Sequence, residues 1–116
     1  CQNSGTVFDI EKDFDFDTHC QCCGTLGNLR PHIVWFGEMP FHMNEINRAL
    51  ESCDLFIAIG TSGNVYPASS FYQIAKSRKA YTVKINLEET ESVFDDNIYG
   101  RATDVVPAYF KDLLQK

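Results

Sequence analysis

The sequence predicts an α/β fold, a parallel sheet covered by helices, joined to a small cysteine-bearing module. Three observations carry this. From Leu29 onward, apolar runs of strand length alternate with stretches whose apolar residues recur every three or four positions. Strand, helix, strand, helix, strand in succession implies right-handed crossovers, and hence parallel strands. Residues 1–28 have a different character: Gly, Asn, Asp, Thr and Cys dominate, and Val7, Phe8, Ile10, Phe14 and Phe16 are the only apolar anchors.

Taken in order, Leu29 to Phe36 is a β-branched and aromatic run that stops at Gly37, Glu38 and Pro40, and it predicts a buried strand breaking into a loop. Met43, Ile46, Ala49 and Leu50 share one helical face, so the spacing predicts an amphipathic helix over Met43–Ser52. Leu55–Ile59 is continuously apolar and ends on Gly60, as suits a strand covered on both faces. Pro67 fits a first helical turn, and Ala68, Phe71, Tyr72, Ile74 and Ala75 supply the apolar face of a helix reaching Lys79. Tyr81–Ile85 predicts the next strand, stopped by Asn86. Residues 88–101 read as acidic and irregular, Asp104 to Val106 as a short edge strand, and Pro107 as the start of a last helix over Ala108–Leu114.

With 116 residues, 44% of them hydrophobic, the chain matches one ordinary domain and can bury a core without disulfide staples. It contains no apolar run of membrane-spanning length, no leading basic-then-apolar segment and no basic cluster, and its net charge is −6. Membrane, secretion and nucleic-acid roles are therefore not expected. Five cysteines without a secretory signal suit the reducing cytoplasm, where clustered thiols serve as metal ligands more often than as disulfides. Cys1 stands first with no initiator Met, so we expect the chain to be a piece of a longer one.

Four of the cysteines form Cys1-x-x-Ser4 followed by Cys20-x-Cys22-Cys23. This is close to the paired spacing in which two tight turns each offer two thiolates to a tetrahedral zinc ion. Ser4 stands where the second cysteine of the first pair belongs, and a hydroxyl is a poor zinc ligand beside a thiolate. Cys1 and Cys20 are the expected ligands, with Cys23 or Cys22 next; the alternative is a metal-free pair of turns packed on Phe8 and Phe14. His19 is an alternative ligand, though it reads better as a surface residue.

Ligands of open parallel sheets bind beyond the carboxyl ends of the strands. Those ends are Gly37-Glu38, Gly60-Thr61-Ser62-Gly63-Asn64 and Asn86-Leu87-Glu88. Gly60 permits close backbone approach, Thr61 and Ser62 offer donors to a phosphate or ribose, and Asn86 or Glu88 can hold a ribose or adenine edge. An ordinary strand-end turn explains Gly-Thr-Ser equally well when it is taken alone.

The combination is more specific. Leu29-Arg30-Pro31-His32-Ile33-Val34-Trp35-Phe36-Gly37-Glu38, Cys53-Asp54-Leu55 through Gly60-Thr61-Ser62, Val65-Tyr66-Pro67-Ala68, Ile85-Asn86 and Gly100-Arg101-Ala102 closely resemble the sirtuin family of NAD-dependent protein lysine deacylases, bacterial members above all. The resemblance runs along essentially the whole chain. It implies a Rossmann-like NAD-binding domain, of which residues 29–116 are the C-terminal part, and a zinc-ribbon-like module, of which residues 1–28 are part. It implies NAD and zinc as cofactors. Gly60, Thr61, Ser62, Asn86, Leu87, Glu88 and Ala102 would line the NAD site. Val34, Trp35, Phe36, Gly37 and Glu38 would flank an acyl-lysine tunnel with Gly63, Asn64 and Val65 opposite, so that an acylated-lysine peptide adds as a strand. For Trp35 and Phe36, the alternative is plain core packing.

The implied reaction transfers an acyl group, acetyl or succinyl, from lysine to the ADP-ribose of NAD, giving nicotinamide and O-acyl-ADP-ribose. The family's glycine-rich phosphate loop and its general-base histidine, which precedes a glycine, belong to an N-terminal half that this sequence lacks. His19, His32 and His42 each precede another residue type. The chain alone is thus expected to be inactive. A non-catalytic nucleotide- or peptide-binding fragment and a structural zinc module are the alternatives.

Overall fold

The computed structural model describes residues 1–115; Lys116, the last residue of the expected domain, lies outside them. The chain divides into two compact units, Cys1–Glu38 and the residues from Met39 onward. In the second unit the elements are α1 (Met43–Ser52), β1 (Leu55–Ile59), α2 (Ala68–Ser77), β2 (Tyr81–Asn86), β3 (Asp96–Tyr99) and α3 (Ala102–Leu113). The sheet has the order β1-β2-β3, with both pairings parallel.

The centre of this unit is β2. Thr82, Val83, Lys84 and Ile85 are all buried, so the strand is covered on both faces. Burying Val83 and Ile85 contributes roughly 1.5–3 kcal/mol each. Alternation puts Thr82 and Lys84 on one face. There the Lys84 ammonium donates to Thr90 Oγ1 at 2.9 Å and lies 6.0 Å from the centre of the Phe94 ring. Phe94 also meets Tyr72 of α2 and Phe56 of β1, with ring centroids at 5.2 and 6.3 Å. Leu50 of α1 packs with Ala75 of α2 and with Ala80, and Ile46, Cys53, Phe56, Phe71 and Ile74 surround them. The periodicities that predict α1 and α2 are those of this shared apolar seam.

Three expectations are corrected. Leu29 to Phe36 forms no strand: residues 29–38 are irregular, with a bend at 32–33 and a turn at 36–37, and Ile33, Val34, Trp35 and Phe36 are all exposed, Phe36 at 96%. Pro31 lacks an amide donor, and Glu38 ties the segment into a turn by accepting both Arg30 guanidinium nitrogens and the Trp35 amide. Residues 88–101 are not irregular throughout, because β3 lies within them. Asp96 and Asn97 at its start, with Asp95 just before it, hide it from a hydrophobicity pattern, yet the Asp95 carboxylate accepts the Thr82 amide at 2.9 Å and the Thr82 hydroxyl at 2.7 Å, docking it on β2. Asp104 to Val106 is helix, not an edge strand, and the last helix starts at Ala102 rather than Ala108. Val105, Val106 and Tyr109 form the half-buried side of α3, so packing overrides the β-preference of two adjacent valines.

Among the described residues no helix is long and apolar enough to cross a membrane.

Candidate functional site

In the first unit, short turns gather the thiols. The backbone reverses at Cys20 to Thr25, where the Cys20 amide donates to the Thr25 carbonyl at 3.0 Å and the Gly24 amide to the Cys20 carbonyl at 2.8 Å. His19 and Leu26 pair beside this reversal. The Gly5 amide donates to the Cys1 carbonyl, and the Gln2 amide donates to the Asn28 carbonyl, both at 2.9 Å. The Sγ atoms of Cys1, Cys20, Cys22 and Cys23 consequently all lie within 4.8 Å of one another. Cys1 and Cys23 are 3.8 Å apart, and Cys20 and Cys22 3.3 Å. A tetrahedron of zinc–sulfur bonds of about 2.3 Å has edges of about 3.8 Å, so the four thiols fit the ion.

Sequence reasoning placed Cys1, Cys20 and Cys23 here and left Cys22 open; the structure brings Cys22 into the same cluster. Its signal was the C-x-C-C run itself, which offers two sulfurs from one turn. His19 stands outside the cluster, with its Nδ1 2.9 Å from the Gly24 carbonyl oxygen. Hydrogen bonds to Thr25 lower the Cys23 thiol to about 6, which favours the thiolate that a metal needs. Burial pushes the Cys20 thiol up, opposed by backbone N–H groups of Cys22 and Cys23 that face it.

The same unit carries the Val34–Glu38 turn. Glu38 is held well below the usual carboxylate range, at about 2, first by Arg30 and then by the Trp35 amide. The pair is bidentate, at 2.9 and 3.0 Å, and its two side chains are 39% and 41% exposed. Its role is to shape the turn that presents Trp35 and Phe36. Trp35 also borders a groove of about 670 Å³ formed with Phe14, Phe16, Leu29 and Pro31.

In the second unit, the carboxyl ends of all three strands carry exposed loops that are stitched together. The Gly60 amide donates to the Ile85 carbonyl at 2.9 Å, Asn86 Nδ2 to the Thr61 carbonyl at 3.1 Å, and the Gly100 amide to the Asn86 carbonyl at 2.9 Å. Gly60–Asn64, Asn86–Glu88 and Gly100–Ala102 thereby form one rim, which holds Gly60, Thr61, Ser62, Asn86, Leu87, Glu88 and Ala102. Gly60 has φ +64°, a conformation that L side chains rarely adopt, and no atom lies within 4 Å of where its Cβ would stand. The backbone there is open to close approach. Gly63, Asn64 and Val65 continue the β1 loop and are exposed, with the Gly63 amide donating to Thr61 Oγ1 at 3.1 Å. Below the rim, Thr61, Ser62, Phe71 and Lys84 help line a cavity of about 730 Å³. Lys84 was not expected there, because an apolar strand pattern reveals no burial of a cation.

The sequence matches the Sir2 family over residues 1–67. An NAD-dependent protein deacylase of Yersinia pseudotuberculosis is 49% identical over 116 residues, a match that takes in 98% of this chain and 42% of that protein. Among solved structures, a Sir2 homologue in complex with NAD is similar with a TM-score of 0.84 at 32% identity, over 99% of this chain and 46% of the other. Sir2Af2 bound to a myristoylated histone peptide is similar with a TM-score of 0.70 at 32% identity, over 85% and 41%. The chain thus spans less than half the length of each protein it is compared with here. Since the family match takes in more than half of its 116 residues, the chain belongs to the Sir2 family.

Proposed function

We propose that this chain is the part of an NAD-dependent protein lysine deacylase that binds NAD and the acylated lysine, in an enzyme that removes acetyl or succinyl groups and yields nicotinamide and O-acyl-ADP-ribose. The stitched rim at the carboxyl end of the parallel sheet carries this reading, because such an edge is where nucleotides bind in open α/β sheets. Gly60, Thr61, Ser62, Asn86, Leu87, Glu88 and Ala102 line the NAD site. NAD, when bound, supplies the ADP-ribose that accepts the acyl group.

The chain's own residues bind and orient. Asn86 uses its amide nitrogen to fix the Thr61 carbonyl, which leaves its Oδ1 as an acceptor for a ribose hydroxyl. Gly60 admits the ligand to the backbone, and the Thr61 and Ser62 groups donate to it. Exposed Val34, Trp35 and Phe36 supply apolar contact to the acylated side chain, with Gly37 and Glu38 completing their turn. Gly63, Asn64 and Val65 offer main-chain groups on which an extended peptide adds as a strand. None of His19, His32 and His42 precedes a glycine as the family's base does, and the Yersinia relative is more than twice this chain's length, so we assign the general base to the part of the domain that these 116 residues do not include. Residues 1–28 form the structural zinc module, and residues 29–116 the C-terminal part of the NAD-binding domain. The free thiols fit a cytoplasmic setting.

Calorimetric titration with NAD, and separately with an acetyl-lysine peptide, tests this. Asn86→Ala is expected to weaken NAD binding about tenfold, the equivalent of about 1.4 kcal/mol. Absence of NAD binding, or an Asn86→Ala chain that binds NAD as well as the parent, would overturn the reading.

A further inference from the structure

Lys84 is a buried charge that the rim does not use. It is 4% exposed at the centre of the sheet, and an ammonium withdrawn from water is costly unless an anion or a full set of acceptors compensates it. Among the described residues it makes one hydrogen bond, to Thr90 Oγ1, and no carboxylate stands within ion-pair distance. Its register partner on β3, Asn97, keeps a buried Oδ1 that accepts nothing. An ammonium has three donors, so two are left to be met from the space beside it.

That space is the cavity of about 730 Å³ that Lys84 helps to line, a volume within the range of small-molecule sites. Its walls are apolar and largely aromatic: Phe56 of β1, Phe71 and Tyr72 of α2, and Phe94, whose ring centre is 6.0 Å from Lys84 Nζ. Exposed Glu91 also borders it, so a second negative charge on a ligand would be opposed there. One cation among aromatic rings therefore calls for a single carboxylate on an apolar body. A phosphoryl group would bring more charge than one ammonium meets, and is better served by the fork of an arginine.

We propose that this cavity binds an aryl-substituted monocarboxylate, its carboxylate on Lys84 Nζ and its ring among Phe56, Phe71, Tyr72 and Phe94. The anion supplies the counter-charge and the acceptors that Lys84 lacks, and the ring fills the apolar space. The cavity shares Thr61 and Ser62 with the rim above it, but neither its anchor nor its aromatic walls are among the residues assigned to NAD.

Phenylacetate and its neutral isostere phenylacetamide, titrated into the full chain and followed by NMR, test this. Phenylacetate is expected to bind saturably at millimolar concentration, and phenylacetamide at least about tenfold more weakly. Lys84→Met, which keeps an unbranched stem and removes the charge, should bind the two alike. Saturating NAD should leave the phenylacetate affinity within about twofold, as for a separate site. Absence of saturable binding, an amide that binds as well as the acid, a Lys84→Met chain that keeps the preference, or displacement of phenylacetate by NAD would overturn the proposal. Should Lys84→Met fail to fold, intermolecular NOEs in the parent decide: contacts from the phenyl protons to Phe71 or Tyr72 support the site, and contacts confined to other residues overturn it.

Discussion

The two units reach order by opposite means. In the residues from Met39 onward, hydrophobic burial leads: β2 is sealed on both faces, and Leu50, Ala75 and Ala80 join two helices in one seam. In Cys1–Glu38 no helix or extended strand forms, and Cys20 is the only buried hydrophobic residue among those described. Its turns are held by backbone bonds, a thiol cluster and the Arg30–Glu38 pair. A small unit with so little apolar burial depends on whatever its side chains bind, and the same chain shows both answers to the entropy of folding.

The largest expected difference comes from metal. Stripping it with a chelator at neutral pH should collapse amide-exchange protection across residues 1–38, since a structural zinc ion contributes on the order of 10 kcal/mol to such a unit. Protection that survives in full would place the first unit's stability elsewhere. Conversely, Ile85→Ala empties space at the centre of β2 and should cost about 3 kcal/mol in a urea melt that follows the second unit. A loss below about 1 kcal/mol would show that the seam relaxes around it.

A smaller effect is expected at Gly100, where φ is +145° and an added Cβ would meet Val105 Cγ1 at 2.7 Å. Gly100→Ala should destabilise the β3-to-α3 junction by about 1–3 kcal/mol, read in the same melt.

Acid makes the finest distinction. Glu38 and Asp95 are both held at about 2, below their ordinary values of 4.5 and 3.8, Glu38 chiefly by Arg30 and Asp95 chiefly by Lys76 and then Thr82. A depressed carboxylate contributes stability that is present above its ordinary pKa and lost as pH falls through its folded value. Trp35 is the only tryptophan and its amide donates to Glu38, so its fluorescence should titrate near pH 2 in the parent and lose that step in Glu38→Gln. For the second unit, Asp95→Asn should remove the corresponding acid step from exchange at Thr82. A fluorescence midpoint at the ordinary carboxylate pKa would mean that the Arg30 pair does not persist in solution.

What was legible in the sequence follows the same divide. Met43–Ser52 was readable to the residue because packing writes a period into a helix, and Leu55–Ile59 because its apolar run is unbroken, although that strand is half-buried and not covered on both faces as expected. β3 was not, because polar bonds to Thr82 hold its start, and a hydrogen bond leaves no periodic mark. The run from Ile33 to Phe36 misled for the converse reason: its apolar residues are presented outward, and composition carries no sign for direction. In the thiol cluster the spacing located the site and left Cys22 and Cys23 as alternatives, because a count of positions does not show that one turn can bring both sulfurs to the same cluster. At the rim, Gly60-Thr61-Ser62 was visible as a motif, whereas its tie to Asn86 links residues 25 apart and no local pattern encodes it.

The register of the sheet has one more consequence. β1 ends with Ile59 opposite Ile85, whereas β3 runs on to Tyr99 opposite Asn86. The chain therefore leaves the sheet one residue sooner on the β1 side, a step of about 3.3 Å. The carboxyl edge of the sheet is a staircase and not a level sill, with its lower step at Gly60 and its upper step at Gly100.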